Sequence, residues 1–318
     1  MSIPLPPNFE LRQTNKFNVY CHVSEPKFPT NHQTKSNPTA GVIYPSSTTP
    51  TTTTNYTKAA AIGSIFDTAN SDNGSSKLGT LNHWNSVYST DLQTFKSNTG
   101  NKNNQNKDDD LNGNQGEIWY GLDVTEKMVD LVSSYCITGA NVLDVGTGNG
   151  DLLCRLVEHC ALETNQCPSF LGTDYSPDAV TLARAVLQRR GQQWALENDR
   201  SAAGHENVEF IVDNILQCTI QKATIDVFLD KGTLDALSCL YDDHRGTARI
   251  HQYMGVLASL GKPGISVLAL TSANFTRNET KELFLSTGWE FVKEVKYPTF
   301  SFGGGTGVHV NTMLYRLR

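Results

Sequence analysis

The sequence predicts an α/β fold built on a doubly wound sheet, and three observations carry that prediction. A short apolar run enters a glycine-rich bend at Asn141-Val142-Leu143-Asp144-Val145-Gly146-Thr147-Gly148-Asn149-Gly150. A second run ends in an acid, Leu171-Gly172-Thr173-Asp174. Strand-like and helix-like segments then alternate, which gives a parallel sheet with a ligand crevice at the carboxyl ends of its strands. Near the end the pattern changes. Residues 289–297 and 309–317 both alternate apolar and polar side chains across Gly303-Gly304-Gly305, the signature of an antiparallel pair. The expected architecture is a Rossmann-like, doubly wound, seven-stranded sheet, parallel except for an antiparallel C-terminal strand.

Taken in order, residues 1–76 are rich in Ser, Thr, Asn and Pro, with Ser46-Ser47-Thr48-Thr49-Pro50 running into Thr51 to Thr54. Such a stretch buries too little apolar surface to offset its ordering entropy, so it reads as a disordered tail ahead of one domain at 77–318. Trp84, Val87, Tyr88 and Leu92 recur at helical spacing and predict an amphipathic helix over 81–95 that covers one side of the core. A polar insertion is expected at 97–115. A helix follows over 123–135, with Asp123 and Glu126 resembling a capping box. Strands are expected at 141–145, 169–174, 208–213, 225–230 and 265–271, and helices at 150–160, 177–190, 249–260 and 277–286. Ser176 ahead of Pro177 reads as a capped helix start, and Gly261, Pro263 and Gly264 as a helix stop. A second polar insertion is expected at 191–207.

Charge and cysteine content narrow the function classes. The 318 residues carry a formal net charge of −6, which argues against nucleic acid and suits a basic protein partner. Seven cysteines without a C-x-x-C pair suggest reduced thiols and neither a disulfide framework nor a metal site. With no apolar run of spanning length, the expected setting is soluble and intracellular, cytoplasmic or nuclear, away from membranes.

The chemistry-bearing residues sit where the strands end. Gly146, Gly148 and Gly150 are spaced G-x-G-x-G behind an acid, whereas a nicotinamide dinucleotide fingerprint runs G-x-G-x-x-G. The pattern therefore points to S-adenosylmethionine, with Asp144 near its cationic methionine end. Asp174 can accept from both ribose hydroxyls, or it can simply cap its own turn. Asp213 and Asn214 close the third strand within reach of an adenine edge, although a plain turn Asp fits there as well. In Asp230-Lys231-Gly232-Thr233-Leu234-Asp235, charge crowds where a buried strand should end, and Asp230 is the candidate for orienting an incoming nucleophile. Trp119, Tyr120, Phe300 and Phe302 lie outside the βα repeat. They fit either lid packing or a channel that holds an amine by cation–π contact.

With these residues in view, the chain resembles seven-strand S-adenosylmethionine-dependent methyltransferases. More closely it is similar to the eukaryotic elongation factor 1-alpha lysine methyltransferase 2 family. The matching blocks are Leu78-Gly79-Thr80 with His83-Trp84 and Val87-Tyr88, Leu92-Gln93-Thr94-Phe95, Gly116-Glu117-Ile118-Trp119-Tyr120-Gly121, and the glycine bend. Further along they are Gly172-Thr173-Asp174-Tyr175-Ser176, Asp230 to Ala236, and Phe300-Ser301-Phe302-Gly303-Gly304. The resemblance covers residues 78–318 and implies a protein-lysine N-methyltransferase acting on elongation factor 1-alpha. It implies a donor site at Gly146, Gly148, Asp174 with Tyr175, and Asp213, and an acceptor-side motif from Asp230 and Lys231 to Thr233. The tail and the Asn-rich insertion fall outside the family pattern. Alternatives drawn from the residues alone are a methyltransferase of another protein or a small molecule, an NAD-dependent oxidoreductase, and a non-enzymatic adaptor.

Overall fold

The computed structural model describes residues 9–14, 17–22, 76–99, 115–164, 166–198, 204–239, 243–298, 300–302, 305–307 and 310–318. Most of the expected tail and of the 97–115 insertion lies outside these residues. Within residues 1–76, β1 (Phe9–Thr14) and β2 (Phe17–His22) form a two-stranded sheet of their own.

The main sheet has seven strands in the order β5-β4-β3-β6-β7-β11-β8. They are β3 (Asn141–Val145), β4 (Ser169–Asp174), β5 (Val208–Val212), β6 (Val227–Lys231), β7 (Val267–Ser272), β8 (Trp289–Glu294) and β11 (Asn311–Leu317). Neighbours from β5 to β7 are parallel, and β11 runs antiparallel to both β7 and β8. The expected topology, with one reversed strand near the C-terminus, is the one observed. Two short strands, β9 (Phe300–Phe302) and β10 (Gly305–Gly307), pair antiparallel with each other.

The central strands are apolar on both faces, as a parallel sheet covered by helices requires. Val142, Leu143, Val145, Phe170, Leu171, Val227, Phe228, Leu229, Val267 and Leu268 are all buried, each contributing roughly 1.5–3 kcal/mol for a side chain withdrawn from water. On one face Met128 and Val132 of α2 (Leu122–Val132) and Leu153 and Leu156 of α3 (Asp151–His159) pack over Val142, Phe170 and Val227. The helix α1 (Leu81–Thr99) lays Leu92 and Phe95 against Leu182 and Val186 of α4 (Pro177–Asn198). The remaining α-helices among the described residues are α5 (Thr233–Ser238), α6 (Asp243–Leu260) and α7 (Arg277–Leu285).

Three expectations are corrected. The capping box at Asp123 and Glu126 does not form, because α2 starts one residue earlier behind Gly121, whose φ of 83° turns the chain without a side-chain cap. Asp123 lies inside the first turn and pairs with Lys127 at 2.6 Å. The helix α4 continues to Asn198, into the stretch expected as an insertion, because Trp194 is buried and anchors an otherwise polar turn. The six-residue α5 was not expected at all. The Ser176 cap does form, with its Oγ accepting from Ala179 N at 3.4 Å. Among the described residues, no helix is long and apolar enough to cross a membrane.

Candidate active site

The site lies at the carboxyl ends of β5, β4, β3 and β6 and has two sides. On the donor side, β3 delivers the chain into the glycine bend. Gly146 and Gly148 have φ of 65° and 57°, where a residue with a Cβ is strained. A Cβ on Gly146 would collide with Thr233 Oγ1, and one on Gly148 would lie 2.5 Å from the Tyr88 hydroxyl. Close approach from both flanks therefore excludes any larger residue. Gly150 caps α3 in the same left-handed conformation.

Two buried carboxylates flank the bend. Asp174 accepts from Gly148 N at 3.1 Å through Oδ2 and from Ser176 N at 2.9 Å through Oδ1. That leaves acceptor capacity on each oxygen for a diol. Asp144 accepts from Thr147 Oγ1 at 2.6 Å. Burial pushes the carboxyl pKa of Asp144 and of Asp174 up to about 6; Thr147 and the Lys231 charge oppose the rise at Asp144, and backbone N–H donors oppose it at Asp174. Beside them the Asp213 N–H donates to Asp174 O at 2.9 Å, which aligns the β5 end with the β4 end. Asp213 Oδ2 is taken by Thr219 N and Oγ1 at 3.1 and 3.2 Å. Asn214 Oδ1 caps the following turn through Leu216 N at 3.1 Å. The Tyr175 hydroxyl donates to Thr80 O at 3.4 Å, so Tyr175 ties the crevice to the segment leading into α1.

The acceptor side is assembled over longer distances. Lys231 Nζ donates to Trp119 O at 2.9 Å, and burial lowers its pKa against the pull of Asp144 and Asp151. Asn149 Nδ2 donates to Gln115 O at 2.9 Å. The Tyr120 hydroxyl donates to Asp235 Oδ2 at 2.5 Å. These three ties hold residues 115–121 as a strap across the bend. Tyr120 has φ 63°, which costs a residue with a Cβ roughly 1–2 kcal/mol and persists only where surroundings over-determine it. Trp119 packs on Trp84 at 5.0 Å between ring centroids, and Trp84 stacks on Tyr88 at 6.0 Å. Thr233 Oγ1 donates to Val145 O at 2.6 Å and so locks α5 onto the end of β3.

Asp230, expected to orient the nucleophile, is engaged by groups of its own chain. It is fully buried; Oδ1 accepts from Thr233 N at 2.7 Å and Oδ2 from Tyr253 OH at 2.6 Å and Leu234 N at 3.1 Å. With both oxygens enclosed, the carboxylate holds the β6–α5 turn, and burial raises its pKa to about 7. The side chain of Phe302 lies outside the described residues. Tyr88 and Asp235 are the groups that sequence reasoning did not assign. Tyr88 looked like one more apolar position of an amphipathic helix, and Asp235 like one of several crowded charges.

The arrangement fits S-adenosylmethionine. Its glycine bend would be filled by any Cβ, its paired acceptor oxygens on Asp174 suit a ribose, and its buried carboxylates favour a cationic ligand. A model of a methyltransferase domain matches residues 138–283. EEF1A lysine methyltransferase 2 of Mus musculus is 31% identical over 244 residues, covering 76% of this chain and 85% of that protein. The Homo sapiens protein of the same name is 30% identical, covering 78% and 93%. The chain belongs to the EEF1A lysine methyltransferase 2 family. Protein-lysine N-methyltransferase EFM4 of Saccharomyces cerevisiae is 29% identical, covering 77% of this chain and 96% of that protein. The protein is thus an S-adenosylmethionine-dependent protein-lysine N-methyltransferase, and the oxidoreductase and adaptor alternatives fall away.

Proposed function

We propose that the enzyme methylates a lysine of translation elongation factor 1-alpha. The observation that carries this reading is the identity to relatives named for that substrate, which spans both the donor bend and the acceptor strap. On this reading the partner is a protein and not a nucleic acid, and the enzyme works in the cytoplasm, where translation takes place.

When bound, the donor supplies a sulfonium methyl group. Gly146, Gly148 and Asp174 would hold it, and Asp144, Asp213 and Asn214 would complete the walls of the crevice around it. The acceptor must be a neutral amine, yet a free lysine has a pKa of about 10.4. Desolvation under the Trp84, Tyr88 and Trp119 cover, together with a nearby positive charge, lowers that value. The amine nitrogen would take the donor's methyl group as the donor's carbon–sulfur bond breaks, and the proton it sheds would leave to water. Asp230, enclosed by its own partners, is not available as a general base. The acceleration comes chiefly from alignment, for which effective molarities of order 10⁵ M are reached by well-positioned pairs.

Incubating the protein with labelled donor and a eukaryotic extract tests the assignment. Label is expected on elongation factor 1-alpha, at a single lysine by peptide mass spectrometry. A labelled band that proves to be another protein overturns it.

A further inference from the structure

Behind the glycine bend lies a buried ionic cluster that neither donor binding nor methyl transfer uses directly. Asp151 opens α3 and is 2% exposed. Its Oδ1 accepts from Gln115 Nε2 at 2.9 Å, Arg155 Nε at 3.0 Å and Arg190 Nη1 at 3.3 Å. Its Oδ2 accepts from Arg155 Nε at 3.0 Å. Arg190, on α4, is also gripped by Glu158 of α3, through Nε at 2.9 Å and Nη2 at 2.6 Å. A planar guanidinium held on two edges has little freedom left, so it fixes the direction of the carboxylate it touches. Oδ1 therefore points at Gln115, the first residue of the strap. Gln115 is itself buried and is held at both ends. Its side chain meets Asp151, and its carbonyl accepts from Asn149, whose Oδ1 accepts from Asp151 N at 3.1 Å. These bonds close a ring from which the strap leaves the bend in one direction. Further along it, Trp119 packs on Trp84 and gives its carbonyl to Lys231.

From this geometry we infer that Asp151 is a positioning residue for the acceptor. Aimed by Arg190 and Arg155, it fixes Gln115 and, through the strap, the Trp119 cover under which the target lysine is desolvated. The inference rests on the strap being the acceptor side, but not on which protein carries the lysine. It separates two properties that a purely structural cluster would change together. The arginine pairs carry folding stability, because breaking a buried pair strands a charge. The bond to Gln115 carries the fit of the acceptor. Asp151→Asn gives up the charge but keeps an oxygen for Gln115, on the side where three donors converge. Asp151→Ala gives up both.

The test measures total protein-bound label with labelled donor and rising amounts of a eukaryotic extract, alongside hydrogen exchange of the segment 115–121. Gln115→Ala is expected to raise the half-saturating extract concentration roughly tenfold, as loss of one charge-assisted bond requires, with donor affinity by calorimetry unchanged. Asp151→Ala should match it, and the double variant should add nothing further, because both changes remove one interaction. Asp151→Asn should melt at a lower temperature yet keep half-saturation close to wild type. Exchange in 115–121 should quicken in Gln115→Ala and Asp151→Ala but not in Asp151→Asn. Where Asp151→Ala does not fold, Gln115→Ala and Asp151→Asn carry the test. Wild-type half-saturation or wild-type exchange in Gln115→Ala overturns the inference, as does an Asp151→Asn protein that behaves like Gln115→Ala. If the wild-type enzyme labels no protein at all, the protein-acceptor reading fails, and hydrogen exchange alone still decides whether Asp151 holds the strap.

Discussion

The donor and acceptor sides of the site are built by different means. The donor side comes from short segments: bend, carboxylate and partner follow one another along the chain, and Asp144 bonds Thr147 three residues on. The acceptor side is stitched across more than a hundred residues, from Trp119 and Tyr120 to Lys231 and Asp235. Local sequence chemistry can therefore fix how the methyl donor is held, whereas the amine's surroundings depend on the whole domain having folded.

The largest expected effect is on the donor side. Asp174→Ala removes a carboxylate that organises Gly148 and Ser176 and that, on the proposed reading, holds the ribose. With charged hydrogen bonds contributing about 1.5–3 kcal/mol each, donor affinity by calorimetry should fall roughly a hundredfold or more. Unchanged affinity would detach Asp174 from the donor. Next comes Asp230→Ala, which orphans Tyr253 OH and two backbone donors. It should lower stability by about 3 kcal/mol in denaturant titration. If it instead leaves the midpoint alone and abolishes turnover, Asp230 touches the acceptor after all.

Proton linkage sharpens the contrast. The Asp144 and Asp174 carboxyls titrate near 6 in the folded protein, against about 3.9 in an unfolded chain. The folded state thus holds protons that the unfolded state has released, so their contribution to stability falls as pH rises from about 4 to 6. A bound cation favours the ionised form, so donor binding should release protons near pH 6 and tighten as pH rises through that region. Calorimetry in two buffers of different ionisation heat measures the release; its absence at pH 6 would count against Asp144 as neighbour of the cationic end.

Asn149→Ala probes the joint between the two sides. Its Nδ2 ties the bend to Gln115. Loss of that bond should raise KM for the protein acceptor a few-fold, in keeping with about 1 kcal/mol for a neutral hydrogen bond, and leave donor affinity alone. The smallest effect belongs to Asp123→Ala, at an exposed pair that contributes at most about 0.5 kcal/mol.

The same division explains what could be read from residues alone. The parallel strands were legible because each is a near-continuous apolar run, and the bend because glycine is needed where φ is positive and neighbours crowd in. Helix ends were less so: Gly121 starts α2 without any side-chain cap, and one buried Trp194 extends α4. A six-residue helix such as α5 is too short to display a period. Asp230 was legible as important but not in its direction, since residue type does not say whether a carboxylate faces a ligand or its own helix. Asp235 and Tyr120 could be paired only once the fold had brought them together.

The placement of β11 between β7 and β8 bears on synthesis. The segment 289–294 emerges from the ribosome before the strand that must separate it from 267–272. Until residues 311–317 follow, the nascent chain can pair its five parallel strands, donor crevice included, while β8 waits with no hydrogen-bonded neighbour. Completion of that flank therefore comes after the parallel strands can already pair.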